Sequence, residues 1–278
     1  MKGVENVKDM KNIERRLKEF KLSGIAKTLE ARNRYAIDNN LTYIDFLKLL
    51  LEDEYINRQS NSFRKRLTKS KLDTTKTLDS YDFTYQPKLN KKELLDIASC
   101  RFIEEKKNII FMGNPGVGKT HLANAIGLEA LKQGYKVLFI HTNDLILKLI
   151  SARGDGTYTS ILNQILSSDL LIIDEVGFKK IPSNYVDEFF EVIRRRYEKG
   201  SIIITTNRPF EEWANIFSDA VLASAIVDRL VHHCHIFKIT GESYRIKHLK
   251  EAKDNQNSLT PLSAPKPLFY LTKPKCTE

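Results

Sequence analysis

Cysteine is scarce in this chain of 278 residues: Cys100, Cys234 and Cys276 are odd in number and far apart. They build no disulfide framework and suit a reducing compartment. Long apolar runs are missing as well. None approaches the roughly 18 residues of a membrane span, and the opening MKGVENVKDMKNIERRLKEF has no hydrophobic signal core. A cytoplasmic protein without membrane attachment is therefore expected. Acidic residues are in deficit, 35 Asp and Glu against 45 Lys and Arg, which leaves a net charge of +10 and favours an anionic partner such as nucleic acid. The 41% hydrophobic and 29% charged residues are ordinary globular proportions, enough for a sizeable core, so disorder throughout is excluded. At about 150 residues per domain the length corresponds to roughly two domains, and no internal repeat is visible.

Composition divides the chain into zones. Residues 1–80 read as a helical, basic N-terminal domain serving oligomerisation or DNA, 81–107 as a connecting segment with a helix, and 108–250 as alternating apolar runs and amphipathic stretches. Residues 251–278 read as a flexible, polar tail holding Pro261, Pro265, Pro267 and Pro274. Thr42 followed by Asp45 predicts a helix start, with Leu47, Leu50, Leu51 and Tyr55 recurring at helical spacing. The densest positive run follows: Arg58, Arg64, Lys65, Arg66, Lys69 and Lys71. Alternating Tyr81, Phe83 and Tyr85 predict an extended aromatic segment ended by Pro87, and Asn90 with Glu93 a capping box for a short helix.

Five short runs predict buried strands: NIIFM (108–112), KVLFI (136–140), LLIID (170–174), SIIITT (201–206) and HIFKIT (235–240). Each is apolar on both faces, as a parallel sheet covered by helices requires. Between them, Val186, Phe189, Phe190, Ile193 and Tyr197 mark one helix stripe, with Ser183 as its expected cap and Arg194, Arg195 and Arg196 at the negative end of its dipole. The alternation predicts a doubly wound α/β domain with a parallel five-stranded sheet.

The loop after the first strand reads Gly113-Asn114-Pro115-Gly116-Val117-Gly118-Lys119-Thr120, a full G-x-x-x-x-G-K-[ST]. Its glycines let backbone N–H groups curl around phosphate oxygens, and the helix starting near Lys119 adds its positive dipole end. Lys119 supplies a charge for the β- and γ-phosphates, and the Thr120 hydroxyl a ligand for Mg²⁺. A Gly-rich turn without function is the competing account. Position argues against it, because a strand pattern precedes and Leu122, Ala125, Ile126 and Ala130 follow at helical spacing. In LLIIDE, Asp174 ends a buried strand and is the second candidate for Mg²⁺, while Glu175 is placed to activate water as general base. Together the two motifs predict an NTPase. No Asn-Lys-x-Asp element for guanine is present, so ATP is the expected nucleotide.

Weaker candidates complete the site. Asn207, after the fourth strand, is placed to bond the γ-phosphate or the attacking water, the alternative being a turn before Pro209. Arg229 is a candidate finger acting on a neighbouring subunit, or else the partner of Asp228 in a surface ion pair. Arg245 is a candidate phosphate contact within its own chain. His121 directly follows Thr120 and is counted with the cofactor-binding loop, packing or a helix-surface place being expected of it rather than catalysis. His232, His233, Cys234 and His235 are contiguous, which prevents most of them converging on one ion, so a helix end running into a strand is expected there.

With GNPGVGKTHLA, LLIIDEVG, TTNRPFEEW, DRLVHH and GESYR in this order, the sequence resembles the IstB-like ATPases, transposition helpers of bacterial insertion sequences in the AAA+ class, close to the DnaC helicase loaders. KLSGIAKTLEAR, FLKLLLEDE, DFTYQPKLN and CRFI extend the resemblance through the N-terminal part, so it covers nearly everything up to about residue 250. It implies a P-loop AAA+ domain preceded by a small helical domain. Gly113–Thr120 would be the Walker A loop, Asp174 and Glu175 Walker B, Asn207 sensor 1, Arg229 the arginine finger and Arg245 the sensor 2 arginine. It implies homo-oligomers with ATP at subunit interfaces, formed on double-stranded DNA that they deform, and a partner transposase; a cytoplasmic, nucleoid-associated protein follows. In initiator-type members an extra helix after the second strand contacts DNA. Residues 143–166 occupy that place, with Lys148 and Arg153 as positive candidates beside Arg64, Lys65, Arg66 and Lys69. The same motifs leave open a helicase loader, or a DNA-bound adaptor that binds ATP with little turnover.

Overall fold

The computed structural model describes residues 2–246, without the side chains of residues 2–9, Ser183 and Asn184. The Pro-rich tail expected at 251–278, and Cys276 within it, lie outside the described residues. Helices α1 (Lys2–Glu19), α2 (Ser23–Asp38) and α3 (Tyr43–Ser70) come first, then a 3₁₀ turn at Phe83–Tyr85, α4 (Lys91–Ile97) and α5 (Arg101–Glu104). The remainder alternates: β1 (Asn108–Gly113), α6 (Lys119–Lys132), β2 (Val137–His141), α7 (Thr142–Gly154), α8 (Tyr158–Leu166), β3 (Leu170–Val176), α9 (Ser183–Arg196), β4 (Ser201–Thr206), α10 (Trp213–Phe217), α11 (Ala220–Val231) and β5 (Cys234–Ile239). Among the described residues no helix is long and apolar enough to cross a membrane.

All five strands are parallel, in the order β2-β3-β4-β1-β5. Strands β1, β3 and β4 lie inside the sheet and are buried almost throughout, as near-continuous apolar runs demand. The run at β5 differs from expectation. It forms an edge, and only Phe237 and Ile239 are buried. Because β4 stands between β1 and β3, the carboxyl ends of three strands bring residues 113–120, 174–175 and 205–207 to one rim. That rim is where open parallel sheets bind ligands.

The boundaries expected near residues 80 and 108 are not where packing changes. Helix α3 runs unbroken for 28 residues. Its first half closes a small core of Ile25, Leu29 and Leu50 with Met10, Leu17, Leu22 and Phe46. Its second half, through Phe63 and Leu67, joins the core of the sheet together with Leu72, Tyr81, Leu94, Ile97 and Phe102. The expected cap holds, with the Thr42 hydroxyl accepting from the Asp45 N–H. The expected stripe, however, is only partly covered: Leu50 is buried while Leu47, Leu51 and Tyr55 are exposed. The acids beside them hold α2 instead. Glu54 accepts from the Gly24 and Ile25 N–H groups at the start of α2, and Asp53 takes a bidentate pair from Arg32.

Two further expectations are corrected. Tyr81, Phe83 and Tyr85 do not form an extended segment, because the chain turns through one 3₁₀ turn capped by Asp82. In α9, Pro182 rather than Ser183 holds the N-cap position. At its other end Arg194 and Arg195 pair with Glu191, but Arg196 is buried. Arg196 donates to the carbonyls of Ser168, Asp169 and Ser201, tying the entries of β3 and β4 together. Burial pushes its pKa down to about 10. Arg196→Met strands those carbonyls, and a stability loss on the order of 2 kcal/mol or more is expected. The midpoint of urea unfolding measures it; an unmoved midpoint would show that the loops hold without the guanidinium.

Candidate functional site

The loop between β1 and α6 wraps one end of a cavity of about 600 Å³. Its conformation depends on glycine. Gly116 (φ +83°) and Gly118 (φ +98°) take left-handed backbone, which L side chains adopt at a cost. A Cβ at Gly116 would come within 2.1 Å of Ser243 Oγ, and one at Gly118 within 2.7 Å of the Tyr81 ring. Gly118 is also the N-cap of α6, so the first N–H groups of that helix open towards the cavity. Lys119 Nζ donates to the carbonyls of Gly113 and Asn114, 2.8 Å each. Burial lowers its pKa, opposed by the carboxylates of Asp174 and Glu175 and assisted by Arg245.

Beside the loop lies a network of oxygen atoms. Asp174 is buried, and its Oδ1 accepts from Thr120 Oγ1 at 2.9 Å and Thr205 Oγ1 at 2.5 Å. Thr205 Oγ1 accepts in turn from the Glu175 N–H. Glu175 sits at φ +60°, in an irregular pairing of β3 with β4 between Ile173 and Val176. Left-handed backbone at a non-glycine residue is uncommon and clusters at functional positions. Here it leaves the Glu175 side chain half-exposed on the cavity wall while its neighbour Asp174 is buried. A buried carboxylate beside a threonine hydroxyl is the hard-oxygen donor set that suits Mg²⁺.

Among the residues singled out from sequence, the cavity gathers Pro115 to His121 with Glu175, Asn207 and Arg245. Gly113 and Asn114 enter through their carbonyls to Lys119. The His121 ring has Nε2 at 2.8 Å from the Thr77 carbonyl and lies edge-on to Tyr81.

Arg229 does not line this cavity. Its guanidinium donates to the Ala225 carbonyl and lies 5.2 Å from the Phe190 ring centroid, without an ion pair to Asp228 among the described residues. The candidate DNA contacts are scattered. Arg64, Lys65 and Lys69 are exposed on α3. Arg66 instead donates to Ser62 and the Leu131 carbonyl, Lys148 Nζ lies 3.4 Å from Gln164, and Arg153 pairs with Glu188 and covers the Tyr158 ring. Residues 232–235 do carry α11 into β5. His232 and His233 also come together with Glu198, their ligand atoms lying within 4.8 Å of one another, and the Tyr197 hydroxyl meets His232 Nδ1.

Sequence reasoning missed several contributors. His141 ends β2 with Nδ1 at 3.4 Å from Asp174 Oδ2 and 3.9 Å from Glu175 Oε2. Its place at the carboxyl end of a buried run was the available signal. Thr205, Tyr81, Tyr85, Gln86 and Tyr244 line the same cavity, and for these no local spacing gives notice.

Comparison with known proteins points to an ATP-binding family. A family model described as IstB-like ATP binding protein matches residues 15–252. The chain is 43% identical over 234 residues to the ATP-binding protein of insertion sequence IS5376 from Geobacillus stearothermophilus, covering 84% of this chain and 93% of that one. Against the ATP-binding protein of insertion sequence IS21 from Pseudomonas aeruginosa it is 37% identical over 254 residues, 91% and 96% of the two chains. AMPPCP-bound DnaA from Aquifex aeolicus is a structural neighbour at TM-score 0.51 and 25% identity, over 68% of this chain and 57% of the DnaA chain.

Proposed function

The chain belongs to the IstB-like ATP binding protein family and is a P-loop ATPase, and from that premise we propose that it assembles on double-stranded DNA, deforms it, and recruits or stimulates a partner transposase, with ATP hydrolysis controlling the assembly. The observation that carries this is the division of the site. One chain supplies Lys119, Thr120, Glu175, Asn207 and Arg245 to the cavity, whereas Arg229 stands outside it. A neighbouring copy would bring its Arg229 to the γ-phosphate, making the nucleotide a joint between subunits. The N-terminal helices fall largely within the matched span that begins at residue 15, which favours the insertion-sequence client over a helicase.

The chain's own residues divide the work as follows. The backbone N–H groups of residues 113–120 and the start of α6 hold the phosphates, and Lys119 neutralises them. Thr120 and Asp174 would hold Mg²⁺, which supplies further neutralisation of phosphate charge when bound. Glu175 takes a proton from the attacking water at its carboxylate, while Asn207 orients that water or the γ-phosphate. Arg245 contacts the phosphates within the same chain.

Arg64, Lys65 and Lys69 are exposed cations on α3 and are the side chains proposed to meet DNA phosphates. With a slowly hydrolysed ATP analogue, the logarithm of duplex affinity is expected to fall against the logarithm of salt by about 0.9 per phosphate neutralised. Replacing the three with Gln makes the slope shallower by about 0.9 for each phosphate that is no longer neutralised. Fluorescence anisotropy with labelled duplex measures this. A flat slope in the unmutated chain, or affinity indifferent to nucleotide, would overturn the proposal.

A further inference from the structure

Gln86 follows the 3₁₀ turn and lines the same cavity as the phosphate loop. It is 3% exposed, and its Nε2 has no hydrogen-bond partner among the described residues. Five other buried side-chain atoms among the described residues also lack a partner, but none of their residues lines this cavity, and a buried donor left unpaired is costly. The carboxamide is also held in place: a Cβ at Gly241 would come within 2.4 Å of Gln86 Oε1 and 2.8 Å of Nε2, so the exit of strand β5 packs closely against it. The rings of Tyr81, Tyr85 and Tyr244 line the same cavity as the loop at residues 113–120, the last two rings edge to face at 4.7 Å.

We propose that Gln86 reads the base of the bound nucleotide and makes the site selective for a 6-aminopurine. Adenine carries its exocyclic amine beside a ring nitrogen, N6 next to N1 or N7. A carboxamide matches that pair, its carbonyl accepting from the amine and its N–H donating to the ring nitrogen. The donor without a partner thereby gains an acceptor. Guanine's N7–O6 edge offers two acceptors and leaves the Gln86 carbonyl facing an oxygen. This inference rests on the nucleotide site described above and adds a residue that decides which base enters it.

The test compares ATP, GTP and purine riboside triphosphate, which lacks the 6-amine, in competition with a fluorescent ATP analogue. The unmutated chain is expected to prefer ATP over purine riboside triphosphate by about 5- to 150-fold, the range for leaving one buried acceptor, here the Gln86 carbonyl, without its donor. Gln86→Met, which keeps the length and loses both polar atoms, is expected to bring that ratio close to one. Equal affinities for the two in the unmutated chain would overturn the proposal, and this comparison holds whatever the variant does to folding. A folded variant that weakens both nucleotides alike, or changes neither, overturns it too, since a merely structural Gln86 would leave the ratio alone. Failure of the unmutated chain to bind any triphosphate is a distinct result and would remove the nucleotide site itself.

Discussion

Replacing Glu175 with Gln is expected to slow phosphate release by about 10²- to 10⁴-fold, the usual contribution of a positioned general base, while ATP stays bound. The exchange removes a proton acceptor and little else. Glutamine has the same length and tolerates the +60° φ about as well as glutamate does. The backbone N–H at this position still reaches Thr205 Oγ1, and Asp174 keeps its bonds from Thr120 and Thr205. Asp174→Asn would instead disturb that network, so the two variants separate turnover from binding. In single-turnover assays with duplex DNA, the Glu175→Gln variant should therefore accumulate as ATP-loaded assemblies that sediment with the DNA. A rate equal to that of the unmutated chain would take Glu175 out of its role. If the unmutated chain itself released phosphate as slowly as the variant, binding without turnover would be the activity, as in a DNA-bound adaptor.

How much of this was legible beforehand depended on whether a feature is local. The four strands other than β5 were plain because a parallel strand covered on both sides must be apolar at every position, as in residues 170–173 and 202–204. The helix caps at Thr42 and Asn90 were plain because the bond spans only three residues. Helix α3 was harder: the polar stretch 57–62 carries no apolar period, so nothing in it announced that one helix would bridge the small N-terminal core and the sheet. The phosphate loop was readable as eight consecutive letters. His141, Thr205 and Gln86 were not, since each arrives beside it only through strand order or a turn. The order β2-β3-β4-β1 alone sets His141 against Asp174 and Thr205 between the two motifs.

Loss of Lys119 is the second large effect expected, and it acts on binding rather than on chemistry. Its Nζ holds two loop carbonyls, and burial has already lowered its pKa against the pull of Asp174 and Glu175. The ammonium is therefore a poorly solvated charge for which phosphate oxygens are better partners than neutral carbonyls. Two charge-assisted bonds to the β- and γ-phosphates correspond to about 3–6 kcal/mol, so Lys119→Ala should weaken ATP binding by about 10²- to 10⁴-fold. Titration calorimetry reads this directly, and an unchanged far-UV circular dichroism spectrum without nucleotide separates it from loss of the fold. If nucleotide is the joint between subunits, the same variant must also lose ATP-dependent assembly on DNA. Its residual, salt-sensitive affinity for duplex through Arg64, Lys65 and Lys69 should persist, because those side chains lie on α3 outside the cavity. An Ala variant that still bound ATP within a few-fold of normal would mean that the loop's backbone and helix dipole suffice. Arg229 would then have no nucleotide-controlled interface to complete through Lys119.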